Sequence, residues 1–392
     1  MVLMALFTTF ITTPIVMAIY KPEKRKRIAD YMNRTIERKN PNTQLRILTC
    51  YHSARNIPSI INLLEASRGS EKREGLSVDA LHLMELSERS SAIIMVHKAR
   101  KHGLPFWNKS QQSDSNHVVV AFEAYRQLSH VSMRSMKAIS SMSDMHEDIC
   151  KTAETNRAAI IILPFHKHQR VDGLLETTRN DFRLVNLKVL EHARCSVGIL
   201  VDRGLGGTTQ VAASNVSYFI MVPFFGGCDD REALAYGVRM AEHPGIRLMV
   251  IRFIVEPESM GEIVRVNIEA ASSKLRSSDE EFLAEFKQNM AKDDSIKYEE
   301  KLVRNAADTI AVLSELKCCN LFLVGRMPEC EAALDLSRSD CPELGPVGSL
   351  LTSPDFSTTA SVLIVQQYKS RASPNLTLQM EDESPDKDSE SN

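Results

Sequence analysis

Two peptides 165 residues apart are nearly the same: Ser196–Val201 (SVGILV) and Ser361–Val365 (SVLIV). Each closes a series of short apolar runs that alternate with segments of helical periodicity. In the first series, Leu45 to His52 (LRILTCYH) suits a buried strand, and Asn56 to Ala66 comes next with Ile57, Ile60, Ile61 and Leu64 at helical spacing. Pro58 sits in that helix's first turn, where proline costs no hydrogen bond. Val78–Leu83 and Ala159–Phe165 read as further strands, about 118–136 as a long helix, and Leu184–Ala193 as another helix. The second series runs Tyr218–Phe224 (strand), Arg231–His243 (helix), Arg247–Phe253 (strand), about 279–290 (helix), Ile296–Leu302 (strand), Ala306–Lys317 (helix), Asn320–Gly325 (strand) and Ser361–Val365. The first strands of the two series are offset by 173 residues and the last by 165. Strands apolar on both faces, alternating with helices, require a parallel sheet covered on both sides. The expected fold is α/β, with two tandem doubly wound parallel-sheet domains. The expected boundaries are 44–202 and 217–368, with 203–216 as a glycine-rich linker and 369–392 as an acidic disordered tail.

A different signal precedes the repeat. Residues 1–20 carry no charge, and Lys21, Lys24, Arg25, Lys26 and Arg27 come directly after them. About 20 apolar residues span a bilayer core of about 30 Å, and the basic run places the rest of the chain on the cytosolic side. Pro14 favours one helix of a bundle over a lone anchor. A secretory signal peptide is a competing reading, but its basic residues should precede the apolar run. A buried core helix is the other. Met1 lies inside the apolar run, which fits an internal methionine of a longer protein. Residues 21–43 are then a basic juxtamembrane linker.

The net charge of −2 excludes the electrostatic footprint of a nucleic-acid binder. The eight cysteines include no C-x-x-C pair, so no metal site is expected, and free thiols fit a reducing cytosol. Phosphate-loop, zinc-protease and nucleophile-elbow motifs are absent, so no enzyme is expected and no catalytic residue is assigned. Ligands of open parallel sheets sit beyond the carboxyl ends of strands. This points to Gly325, Arg326, Gly345, Gly348 and Ser349 as a weak nucleotide (ATP or another) site, with a helix start at Ser349 adding its dipole. The plain reading of the same residues is a loop and a helix cap. His52, His166 and His168 come after two neighbouring strands and form a candidate pH-sensing cluster; the plain reading is surface-loop histidine.

Residues 13–26 (TPIVMAIYKPEKRK), 55–73 (RNIPSIINLLEASRGSEKR), 81–91 (LHLMELSERSS), 196–204 (SVGILVDRG), 320–326 (NLFLVGR) and 344–353 (LGPVGSLLTS) resemble the C-terminal part of plant cation/proton exchangers, monovalent cation:proton antiporters of the CHX group. The resemblance implies that 1–20 end the last transmembrane helix of an exchanger. It also implies that the two α/β units are universal-stress-protein-like, a family whose nucleotide-binding members carry G-x-x-G and then G-[ST] after the fourth strand. Exchangers move cations with buried carboxylates, and residues 1–20 hold no Asp or Glu, so the transport core is expected outside this chain. The aspartate usual after the first strand of stress-protein nucleotide sites is replaced by Tyr51-His52 in one half and by Phe225-Gly226-Gly227 in the other, with Asp229 and Asp230 slightly late. The expected function is the cytosolic regulatory part of a K+ or Na+/proton antiporter serving cation and pH homeostasis in an endomembrane. Its expected partners are the membrane, the exchanger's own transmembrane domain, monovalent cations and protons, and a second copy in a homodimer. The alternative is a membrane-anchored nucleotide-binding stress-type protein.

Overall fold

The computed structural model describes residues 34–37, 44–69, 75–86, 121–205, 217–255 and 269–369, apart from a few positions inside the two longest of these stretches. The apolar span 1–20, the basic run, most of the linker 203–216 and the acidic tail after Lys369 lie outside the described residues. Among the described residues no helix is long and apolar enough to cross a membrane.

The strands are β1 (Leu45–Tyr51), β2 (Leu76–Glu85), β3 (Ser132–Ser140), β4 (Ile160–Pro164), a small hairpin of β5 (Lys167–Gln169) and β6 (Leu175–Thr177), β7 (Ser196–Val201), β8 (Tyr218–Phe224), β9 (Ile246–Val255), β10 (Ile296–Val303), β11 (Leu321–Gly325) and β12 (Ser361–Gln366). Ten of them form one sheet in the order β10-β9-β8-β11-β12-β7-β4-β1-β2-β3. Within each half all neighbours are parallel, as strands buried on both faces demand. The two halves meet at β7 and β12, which pair antiparallel from Val201↔Val362 to Val197↔Gln366. The near-identical closing peptides of the repeat are therefore each other's partners, and the seam has an approximate two-fold symmetry.

That pairing turns two units expected in tandem into one continuous sheet. β7 is buried throughout, and so is β12 up to Gln366. Parting the halves would expose Val, Leu and Ile side chains worth about 1.5–3 kcal/mol each, and would bare two sheet edges.

Helices cover both faces. On one lie α1 (Ile57–Ala66), α4 (Cys228–Ala241) and the end of α5 (Glu269–Met290), whose Leu283 and Phe286 enter a core that runs across both halves. On the other lie α2 (Met145–Thr155), α3 (Asp181–His192), α6 (Ala306–Glu315), the short α7 (Glu331–Leu334) and α8 (Gly345–Thr352). Local chemistry sets several starts. Pro58 opens α1, and the Asn305 side chain caps α6 by accepting the Asp308 N–H at 2.9 Å.

Two expectations change. Among the described residues of the helix expected over 118–136, helix runs over about 121–129, and Ser132–Ser140 is an edge strand paired with β2. The first residues of the expected linker are packed: the Arg203 guanidinium donates to the Thr358 and Thr352 carbonyls, and Leu205 is buried with its carbonyl accepting from Asn62 at 2.6 Å.

Candidate functional site

After β8 the chain turns through Gly226 and Gly227, both at positive φ, into α4. Asp229 and Asp230 fall in the first turn of that helix, where its dipole favours negative charge. Asp230 Oδ2 accepts the Phe225 N–H at 2.7 Å, and its Oδ1 accepts the Gly325 N–H at 3.0 Å. Asp229 accepts the Met327 N–H at 3.1 Å and the Gln367 N–H at 3.0 Å. Two side chains thus fasten the ends of β8, β11 and β12. Burial raises both carboxyls against the pull of these N–H donors, and Asp230, with Asp229 beside it, is pushed up to about 8.

This arrangement occupies the ground expected for a phosphate. A Cβ on Gly325 would lie 2.1 Å from Asp230 Oδ1, and one on Gly345 would lie 1.9 Å from the Arg326 carbonyl. One on Gly348 would meet Ile364 Cγ1 at 2.8 Å. The small residues accommodate the protein's own chain. Arg326 donates to Gln366 Oε1 at 2.6 Å and to the Pro342 carbonyl at 3.0 Å. Helix α8 begins at Gly345, so Ser349 sits buried inside it and marks no helix start. Gly325, Arg326 and Gly345 lie together, with the Asp230 carboxyl against Gly325 and the Arg326 carbonyl against Gly345.

The three histidines have different surroundings. His52 stacks on Phe182 at 4.1 Å; burial first, then Arg179 and His82, lower it to about 4, so it stays neutral through the range expected of a sensor. His166 is buried beside Glu343, with Nδ1 and Oε1 3.0 Å apart, and Arg183 Nε stands 3.7 Å from the other carboxylate oxygen. Burial acts to lower its pKa, but Cys341 and Glu343 outweigh this and raise it. His168 lies half-buried on β5, in the hairpin beyond.

Reading the sequence did not single out Glu232, which is completely buried on α4. It accepts the Ile36 N–H at 2.6 Å and the Glu37 N–H at 2.9 Å, and Gln367 donates to it at 3.3 Å. Glu37 in turn accepts from Arg231 Nε at 2.9 Å and from Gln367, and Arg231 also pairs with Asp279. The Ser196 N–H donates to the Arg34 carbonyl at 3.0 Å. Residues 34–37 are therefore held at the seam by both halves. The signal was there in principle: Glu232 precedes Ala233, on the helix face that carries the buried Tyr236 and Met240, where an acid needs donors.

Comparison with known proteins matches the chain to two models of one family. The plant cation/H(+) antiporter domain matches residues 78–205, and the plant cation/H(+) antiporter C-terminal domain matches 217–366. The chain is 63% identical over 377 residues to Cation/H(+) antiporter 18 of Arabidopsis thaliana, covering 94% of this chain and 46% of that protein. It is 55% identical to Cation/H(+) antiporter 19 of the same plant, covering 94% and 45%. It thus spans a little under half the length of these relatives. Among solved structures it is similar to a universal stress protein from Archaeoglobus fulgidus DSM 4304, with a TM-score of 0.44 at 13% identity, over 81% of this chain and 97% of that one.

Proposed function

This chain belongs to the plant cation/H(+) antiporter family, and we propose that it is the cytosolic regulatory part of a K+ or Na+/proton antiporter in an endomembrane. The observation that carries this reading is the grip on residues 34–37. They come after the basic run that the sequence places at the membrane surface, and they are bonded to Glu232 and Ser196 at the seam. A rearrangement of the seam must move them, and they lead back to the apolar span. For the tail to bias transport, its contacts must differ between the exchanger's states; the clamp at the seam is a candidate for that difference. The domain limits read from the sequence remain part of this proposal, with the halves acting as one body.

The test joins this chain to the membrane part of Cation/H(+) antiporter 18 in cells that lack their own antiport. We expect proton-coupled cation flux whose pH dependence changes in Glu232→Gln at equal membrane abundance. A flux with the same pH response after removal of everything beyond residue 33 would overturn the regulatory role.

A further inference from the structure

His166 stands 175 residues before Cys341 and 177 before Glu343 in the chain, and the three meet across the two halves. His166 comes just after β4, while Cys341 and Glu343 lie at the 3-10 turn Pro342–Leu344 that leads into α8. One ligand atom from each residue (imidazole nitrogen, thiol sulfur, carboxylate oxygen) lies within 4.8 Å of the others. All three residues are buried, at 3%, 5% and 0% exposure. His166 Nδ1 and Glu343 Oε1 are ion-paired at 3.0 Å and Arg183 Nε stands 3.7 Å from Oε2, but among the described residues none of these buried atoms meets the geometry of a full hydrogen bond. Buried polar atoms in this condition are costly and call for an explanation.

We propose that His166, Cys341 and Glu343 form a three-ligand site for a divalent transition-metal ion, of which Zn2+ is the fitting kind. A mixed nitrogen, sulfur and oxygen set suits a borderline-soft ion and does not suit Mg2+ or Ca2+, which take oxygen ligands. Zinc bonds of about 2.0–2.3 Å place tetrahedral ligand atoms roughly 3.3–3.8 Å apart, so the present spread closes with small side-chain rotations. A thiolate and a carboxylate neutralise the ion's charge. Arg183 stands at the second oxygen of Glu343, which suits the outer-shell role that orients a ligating carboxylate. One ligand comes from the first half and two from the second, so the ion would fasten the halves beside the seam.

The test titrates the full chain, purified free of metal, with Co2+ and then Zn2+. One equivalent of Co2+ should produce a thiolate-to-metal charge-transfer band and the intense visible bands of four-coordinate Co2+, and Zn2+ should abolish both. Cys341→Ser should remove the charge-transfer band, and His166→Gln should weaken affinity at least about tenfold. Cys318→Ser, at an exposed cysteine, should change neither. Zn2+ should raise the Tm of the wild type more than that of His166→Gln. A folded wild type with no band at one equivalent overturns the site, whatever the variants do. A band that survives Cys341→Ser, or an affinity unchanged in His166→Gln, also overturns it.

Discussion

The two halves share one strand order and close the ends of their inner strands differently. In the second half, two buried carboxylates collect four backbone N–H groups from the ends of β8, β11 and β12. In the first half no acid comes directly after β1: Tyr51 stacks on His82 at 4.8 Å and His52 on Phe182 at 4.1 Å. One closure is a set of buried bonds from N–H groups to two acids, which fails when either partner is lost. The other is ring packing, which degrades gradually. The half with the hydrogen-bonded closure is also the one that holds residues 34–37 through Glu232.

The sharpest test of this asymmetry compares Glu232→Ala with His52→Gln. The first strands two backbone N–H groups and the Gln367 amide in a buried place, and should cost about 2–4 kcal/mol. The second loses stacking only and should cost about 1 kcal/mol or less. Denaturant midpoints give both numbers, and equal losses would break the comparison. Hydrogen exchange at Ile36 and Glu37 should quicken in Glu232→Ala alone.

A smaller effect is expected at Gly345, which has φ 66° and ψ 178° with the Arg326 carbonyl against its missing Cβ. Only glycine adopts that backbone readily, so Gly345→Ala should cost about 1–3 kcal/mol. A thermal shift within error would mean that the loop before α8 can move away.

The smallest effect is a slope. The Asp230 carboxyl is raised to about 8 in the folded chain, above its ordinary value of 3.8. Between those values the folded state binds more protons than the unfolded one, so this group's contribution to stability falls as pH rises from about 4 to about 8. Urea unfolding at pH 5 and pH 7 should show wild type losing stability from this source as pH rises, and Asp230→Asn lacking that slope. Parallel slopes would mean that the four N–H donors keep the acid pair charged, which would tighten the contrast between the halves.

The central strands were legible because each is a run of apolar residues between turn signals. β3 was not: Ser132–Ser140 (SMRSMKAIS) is mixed in polarity and mostly open to solvent, and only its ladder with β2 makes it a strand. The glycines after β11 were legible as places of close approach, but their occupant was not, since Asp230 stands 95 residues before Gly325. His166 carries no spacing signal toward Cys341 and Glu343, because it comes from the other half.

Residue pattern alone determined that this chain repeats an α/β unit with strands buried on both faces, since hydrophobic period and length are set by local chemistry. It also determined the closing peptides, whose likeness marks the repeat. Only the tertiary structure decided that these two peptides pair with each other. A strand apolar on both sides specifies burial but not its neighbour, and an exposed edge can be covered by any backbone of the right length. The same holds for the buried acids: sequence shows that they are acids, and only the folded chain supplies the N–H groups that make burying them tolerable.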